Sequence, residues 1–224
     1  CFENVEFTNF FPFAIIDFSD KNLPLKITLE AFTPFIPLDY ENSSLPIAIF
    51  TYRIKNLTEK ELEIFLAFSL MNPVGTNGTE SLSSISNICF GKNINIYKEN
   101  GKIKGLYLKS NKYDKESPRY GNISLFTDSK NVSYKTQWEK TGWWNDFENF
   151  WREFKSGEFK IVESRESEEG KTYWASLGVK EKLKGKEEKE INFYLSWYFP
   201  NRINYWGMDE EVKNKILKNW YSKR

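Results

Sequence analysis

Alternation with a period of two constrains this chain more than any other feature. Leu25, Ile27 and Leu29 point one way while Lys26, Thr28 and Glu30 point the other, as successive side chains of an extended strand must. Apolar-rich runs at Ile47–Lys55 and Leu62–Met71 flank the polar link Asn56-Leu57-Thr58-Glu59-Lys60, which reads as a long hairpin. Ile94–Tyr97 and Ile103–Leu108 flank Asn100-Gly101, a type I′ hairpin signal because both central residues of that turn need positive φ. Ile123–Thr127 and Val132–Trp138 surround the polar turn Asp128-Ser129-Lys130, and Tyr173–Lys182 is expected to pair with Ile191–Phe199 across Lys184-Gly185-Lys186. In the last of these runs Phe193, Leu195, Trp197 and Phe199 share one face, with Tyr194, Ser196 and Tyr198 on the other. Aromatic residues on both faces predict a central strand covered on each side.

Helical spacing occurs twice. Phe147, Phe150, Trp151 and Phe154 form one stripe behind a cap-like Asn145 and Glu148, and Ser156-Gly157 stops it. Val212, Ile216 and Trp220 form a second stripe within Asp209–Tyr221, with acids early and lysines late as the helix dipole favours. Many short strands with only two short helices predict an all-β fold, a large two-sheet antiparallel β-sandwich. No repeat, low-complexity tract or linker divides residues 1–224, so one domain is expected.

Composition then narrows the chemistry. There is no histidine, which closes Ser-His-Asp triads, Cys-His dyads, His-liganded zinc and two-His iron sites to this chain by itself. Two cysteines cannot make a four-thiolate metal site. No glycine-rich phosphate loop and no acidic loop of calcium-binding spacing is present, so neither cofactor nor metal is expected. Lys+Arg 32 against Asp+Glu 31 leaves no basic footprint for nucleic acid. Apolar stretches such as Ile64–Leu70 are far shorter than the ~20 residues of a membrane span.

Cys1 stands where Met would, with no leader before it, which fits a processed lipoprotein or, the reading preferred here, a piece of a longer protein. Cys1 and Cys89 bridge only if their backbones approach. Sequons begin at Asn42, Asn56, Asn77, Asn122 and Asn131, a number expected by chance in so Asn-rich a chain. Low cysteine use makes the cytoplasm the default compartment.

Two surfaces stand out. Gly142-Trp143-Trp144-Asn145-Asp146 sets adjacent indoles beside an amide and a carboxylate, a combination that can stack on a sugar ring and hold its hydroxyls. Pro34 and Pro37 interrupt any ladder in Leu29–Asp39, so this segment leaves the sheet as a stiff apolar loop. Phe32, Phe35 and Ile36 then cover their own core or dock another domain, with Trp220 as a second interface candidate. Paired carboxylates are the one catalytic option left, and among Asp17, Asp39, Glu41 and Asp146 none stands out.

The same loop carries a family resemblance. Phe11-Pro12-Phe13-Ala14, Leu23-Pro24-Leu25, Leu29–Leu38 and Asn42–Ala48 resemble the N-terminal domain of glycoside hydrolase family 116, the non-lysosomal glucosylceramidases and microbial β-glucosidases. Phe50–Asn56, Phe68–Gly75 and Leu195–Pro200 are similar as well, while residues 80–190 agree only in strand pattern. The resemblance implies a β-sandwich followed by a C-terminal α/α toroid that carries the nucleophilic Glu and the acid/base Asp. No motif of that toroid occurs here, so no catalytic residue is nominated. The implied partners are the catalytic domain of the same polypeptide and, through it, a carbohydrate or glycolipid. The rival reading is a free-standing carbohydrate-binding module built on Trp143 and Trp144.

Overall fold

The computed structural model describes residues 2–76, 79–81, 84–85, 89–138, 145–204, 211 and 213–223. In chain order the strands are β1 (Asn4–Phe10), β2 (Phe13–Ser19), β3 (Leu25–Phe32), β4 (Ile47–Asn56), β5 (Leu62–Met71), β6 (Thr79–Ser81), β7 (Ser84–Ile85) and β8 (Asn93–Asn100). They continue with β9 (Ile103–Ser110), β10 (Asn122–Thr127), β11 (Val132–Lys135), β12 (Trp174–Leu183), β13 (Glu188–Tyr198), β14 (Asn201–Ile203) and β15 (Ile216–Lys218). The helices are α1 (Tyr40–Ser43) and α2 (Asn145–Ser156).

Eight strands form one antiparallel sheet in the order β1-β2-β3-β4-β13-β10-β9-β8, and β11-β12-β5 form a second. The alternating residues of the sequence meet between them. Ile54, Leu106, Leu108, Leu125, Ile191 and Phe193 of the large sheet pack against Ala175, Leu177, Val179 and Leu183 of the small one. Phe68 bridges the layers, 5.2 Å from Phe50 and 5.8 Å from Phe193 between ring centroids, and Tyr97 stacks on Tyr134 at 3.7 Å. The fold is the all-β sandwich that the alternation requires.

The connections differ from the simplest reading. β4 and β5 are not a hairpin, because β4 pairs with β3 and β13 while β5 pairs with β12. Likewise β12 and β13 lie in different sheets rather than pairing with each other. Both links are arches that carry the chain from one layer to the other, and they pack together. Asn56, fully buried, donates from Nδ2 to the carbonyls of Lys60, Leu183 and Lys184 at 2.7, 3.2 and 2.9 Å. Its Oδ1 accepts from the amide and hydroxyl of Thr58, both at 2.9 Å. A Cβ on Gly185 would lie 2.2 Å from the Glu59 carbonyl oxygen, so the second arch needs glycine where it crosses the first. This sequon asparagine is therefore structural. The link from β10 to β11 is a third crossing between sheets.

At Asn100-Gly101 the hairpin forms one residue later than expected. Asn100 pairs with Ile103, and only Gly101 of the two loop residues has positive φ (+60°), as a type II′ turn requires. α2 forms where its aromatic stripe predicts, and it closes with Gly157 N–H on the Phe154 carbonyl at 3.0 Å and Glu158 N–H on the Glu153 carbonyl at 3.4 Å. Over the described part of Asp209–Tyr221 the expected helix is replaced. Ile216–Lys218 instead pair with Asn201–Ile203, and Trp220–Lys223 form a 3-10 turn. A ladder partner outweighs weak helical propensity there. Val212 lies outside the described residues.

Candidate docking surface

The small sheet packs on the large one as far as its β8 edge but does not reach the opposite side, so β1 lies wholly exposed at that edge and β2 half-exposed beside it. The turns and loops at the Phe10 and Phe32 ends of these strands build an apolar surface. β3 stops at Phe32, where Pro34 and Pro37 cannot donate to a ladder. The segment after it satisfies its own polar groups. Asp39 N–H reaches the Ile36 carbonyl at 3.0 Å, Ser43 Oγ accepts from Ile36 N–H at 2.8 Å and donates to the Ile36 carbonyl at 3.0 Å, and the Asp39 carboxylate caps α1 through Asn42 N–H at 3.0 Å. These polar atoms are bonded to one another, and the apolar side chains beside them are left outside.

Phe35 and Ile36 are each 49% exposed and Leu38 is completely exposed. Leu38 also holds φ at +66°, a left-handed conformation that costs a branched side chain about 1–2 kcal/mol. Phe11, exposed, meets Phe35 edge-on at 5.0 Å, and Phe13 meets Phe32 at 5.0 Å. Of the expected interface residues, Phe32 is half-buried under its neighbours while Phe35 and Ile36 face outward.

The C-terminal segment brings the fourth expected residue to the same end. Tyr221 Oη donates to the Phe199 carbonyl at 2.7 Å, Asn219 N–H to the Pro200 carbonyl at 2.7 Å, and Lys218 Nζ to Asn201 Oδ1 at 2.7 Å. These bonds fasten the segment to the end of β13. Trp220, half-exposed, then meets Tyr40 at 6.0 Å edge-on. Phe11, which enters the sequence reading only through the family motif, and Tyr40 are not among the expected interface residues, although the run Phe10-Phe11-Pro12-Phe13 carries a signal for the first.

Other expectations fall elsewhere. Trp143 and Trp144 lie outside the described residues, as does the side chain of Asp146 at the start of α2. Nearby, Trp138 stacks on Phe150 at 4.4 Å and contacts Trp174 at 5.5 Å, which pins α2 to the small sheet. Among the carboxylates, Asp17 accepts from Thr28 Oγ1 at 2.5 Å and Asp39 caps α1, so both have structural uses. β13 is central, but Tyr194 and Ser196 on its outer face are only half-buried, with no second layer over them among the described residues. Cys89 is a buried free thiol, and Cys1 lies outside the described residues. Among the described residues no group of His, Cys, Asp or Glu could hold a metal ion, and no helix is long and apolar enough to cross a membrane.

Fold and surface together define an antiparallel β-sandwich with an uncovered apolar end. The family model described as beta-glucosidase 2, glycosyl-hydrolase family 116 N-term, matches residues 1–224. The chain belongs to that family. Among curated proteins none matches it in sequence. Of solved structures, one assigned as a kojibiose phosphorylase from the human microbiome is similar, at 13% identity and a TM-score of 0.41 over 87% of this chain. This chain spans 20% of the length of that structure.

Proposed function

We propose that residues 1–224 are one non-catalytic β-sandwich domain of a retaining β-glucosidase or glucosylceramidase-like hydrolase. Its apolar end packs on the catalytic domain and supports the loops around the sugar site. The observation that carries this reading is the cluster of Phe11, Phe35, Ile36, Leu38, Tyr40 and Trp220, exposed together at one end of a sandwich whose family model is that of an N-terminal part. A monomer that left such a patch in water would risk association through it. Substrate, carbohydrate or glycolipid, is met through the partner domain, and no part is assigned to nucleic acid. Two cysteines, one of them a buried free thiol, favour a reducing compartment, and we assign the chain to the cytoplasm.

The test is an assay on aryl β-glucosides. The chain alone is expected to show no turnover, and adding a separately produced family 116 catalytic domain is expected to give a complex with raised activity. Robust turnover by the chain alone would overturn the non-catalytic reading.

A further inference from the structure

We propose that the outer face of the large sheet holds a site for a single neutral sugar ring, in a gap over Gly105. Strand register sets the gap. One row across the outer face runs Lys98, Gly105, Phe126, Tyr194, and the adjacent row runs Tyr107, Ser124, Ser196. Gly105 contributes no side chain to the first row, and the space it leaves is a cavity of about 260 Å³, lined mainly by apolar surface of Ile103, Leu106, Tyr107 and Phe126, with Asn100, Ser124 and Ser196 as its neutral polar members. The strand cannot close this gap from within. A Cβ on residue 105 would lie 2.2 Å from the Leu125 carbonyl oxygen and 2.6 Å from the Phe126 Cβ.

The walls are aromatic and braced. Phe126 stacks on Tyr194 at 5.1 Å and 18°, which leaves its other face towards the gap. Lys98 Nζ sits 4.3 Å from the centroid of the Tyr107 ring. Between these walls the hydroxyls of Ser124 and Ser196 and the side-chain amide of Asn100 make no hydrogen bond among the described residues.

That combination selects the ligand. A pyranose has an apolar C–H face for a ring wall and a rim of hydroxyls for Ser124, Ser196 and Asn100. A flat hydrocarbon would leave those polar groups unpaired. An anion would find one cation, already seated on Tyr107, and no helix N-terminus among the lining residues. The volume lies just below the ~300–1,000 Å³ of pockets for drug-sized ligands, which fits one ring rather than an oligomer. The site lies towards the β8 edge, whereas the docking surface lies towards β1, so either reading can fail without the other.

The test is amide-resolved NMR titration of the full chain with methyl β-glucoside and with cellobiose. Saturable shifts are expected at Tyr107, Ser124 and Ser196, with Kd on the order of 1 mM, as a ligand with so few atoms allows. Ser124→Ala and Ser196→Ala are each expected to weaken binding about three- to tenfold, and Tyr107→Ala to abolish it. Should Tyr107→Ala fail to fold, the serine variants carry the test, because they remove half-buried hydroxyls that no other described residue bonds. No shift at tenfold above the expected Kd would overturn the proposal, as would shifts confined to other residues, or serine variants that bind like the parent.

Discussion

Lys135 and Glu153 offer a perturbation whose size follows from geometry. Lys135 leaves β11 and is 1% exposed at its side chain, and both oxygens of Glu153 on α2 meet its Nζ, at 2.8 and 3.0 Å. Glu153 Oε2 also accepts from Lys160 N–H at 3.0 Å, so one carboxylate ties strand, helix and returning chain. Glu153→Gln keeps the acceptor for Lys160 but leaves a buried ammonium without its counter-charge. Breaking a buried pair in this way costs about 3–5 kcal/mol, against about 0.2–1 kcal/mol for an exposed pair. That is a large share of the roughly 5–15 kcal/mol that keeps a domain folded. In urea the unfolding midpoint should fall by about 2 M for a protein whose m-value is near 2 kcal/mol/M. Lys135→Met combined with Glu153→Gln removes the stranded charge and should recover most of the loss. Tryptophan fluorescence and circular dichroism followed in urea compare the parent, the single variant and the double variant. A loss below about 1 kcal/mol for Glu153→Gln, or a double variant no better than the single, would refute the claim that this pair is buried and coupled.

Other perturbations test separate parts of the structure. Leu38→Gly should leave the chain as stable as the parent or up to about 1 kcal/mol more stable in thermal melts, because glycine adopts φ +66° without the steric cost. Asn56→Ala removes five hydrogen bonds inside the paired arches, while the Lys60 carbonyl keeps Thr58 Oγ1 and the Lys184 carbonyl keeps Glu187 N–H, each at 3.1 Å, and it should cost about 3 kcal/mol in the same urea assay. Phe193→Ala, at a side chain with no exposure between the sheets, should cost about 3–5 kcal/mol. Burial holds the Tyr52, Tyr97, Tyr107 and Tyr194 phenols above their ordinary 10.0, with the Glu99 carboxylate adding to the effect at Tyr97. The folded chain thus keeps these protons more tightly than the unfolded one. Their contribution is whole below pH 10.0 and is lost as pH rises beyond it. Phenolate absorbance should show these four of the 12 tyrosines ionising late, together with alkaline unfolding.

Much of this architecture is legible in the sequence because its physics is local. Period-two runs locate the long strands, and the spacing of Phe147, Phe150, Trp151 and Phe154 locates α2. Two prolines show where β3 must end. The family motifs at Phe11–Ala14 and Leu29–Leu38 lie in the segments that build the apolar end. What local pattern does not carry is the choice of pairing partner. A five-residue polar link such as Asn56–Lys60 serves a hairpin or an arch equally well, and the decision rests on Ile54 pairing with Lys189, far along the chain. The C-terminal stripe fails for the same reason: Ile216 finds Ile203 across a ladder, and nothing in residues 209–221 announces that partner. Tyr194 shows a third limit. Aromatic residues on an outer face announce that something covers or uses that face, without saying whether the cover belongs to the same chain.

The docking role is tested most directly by calorimetric titration of this chain into a family 116 catalytic domain produced separately. A one-to-one complex is expected, with markedly weaker association when Leu38→Gly and Trp220→Ala are combined in a chain that still melts normally. Failure to associate, or association indifferent to those two substitutions, would contradict that role.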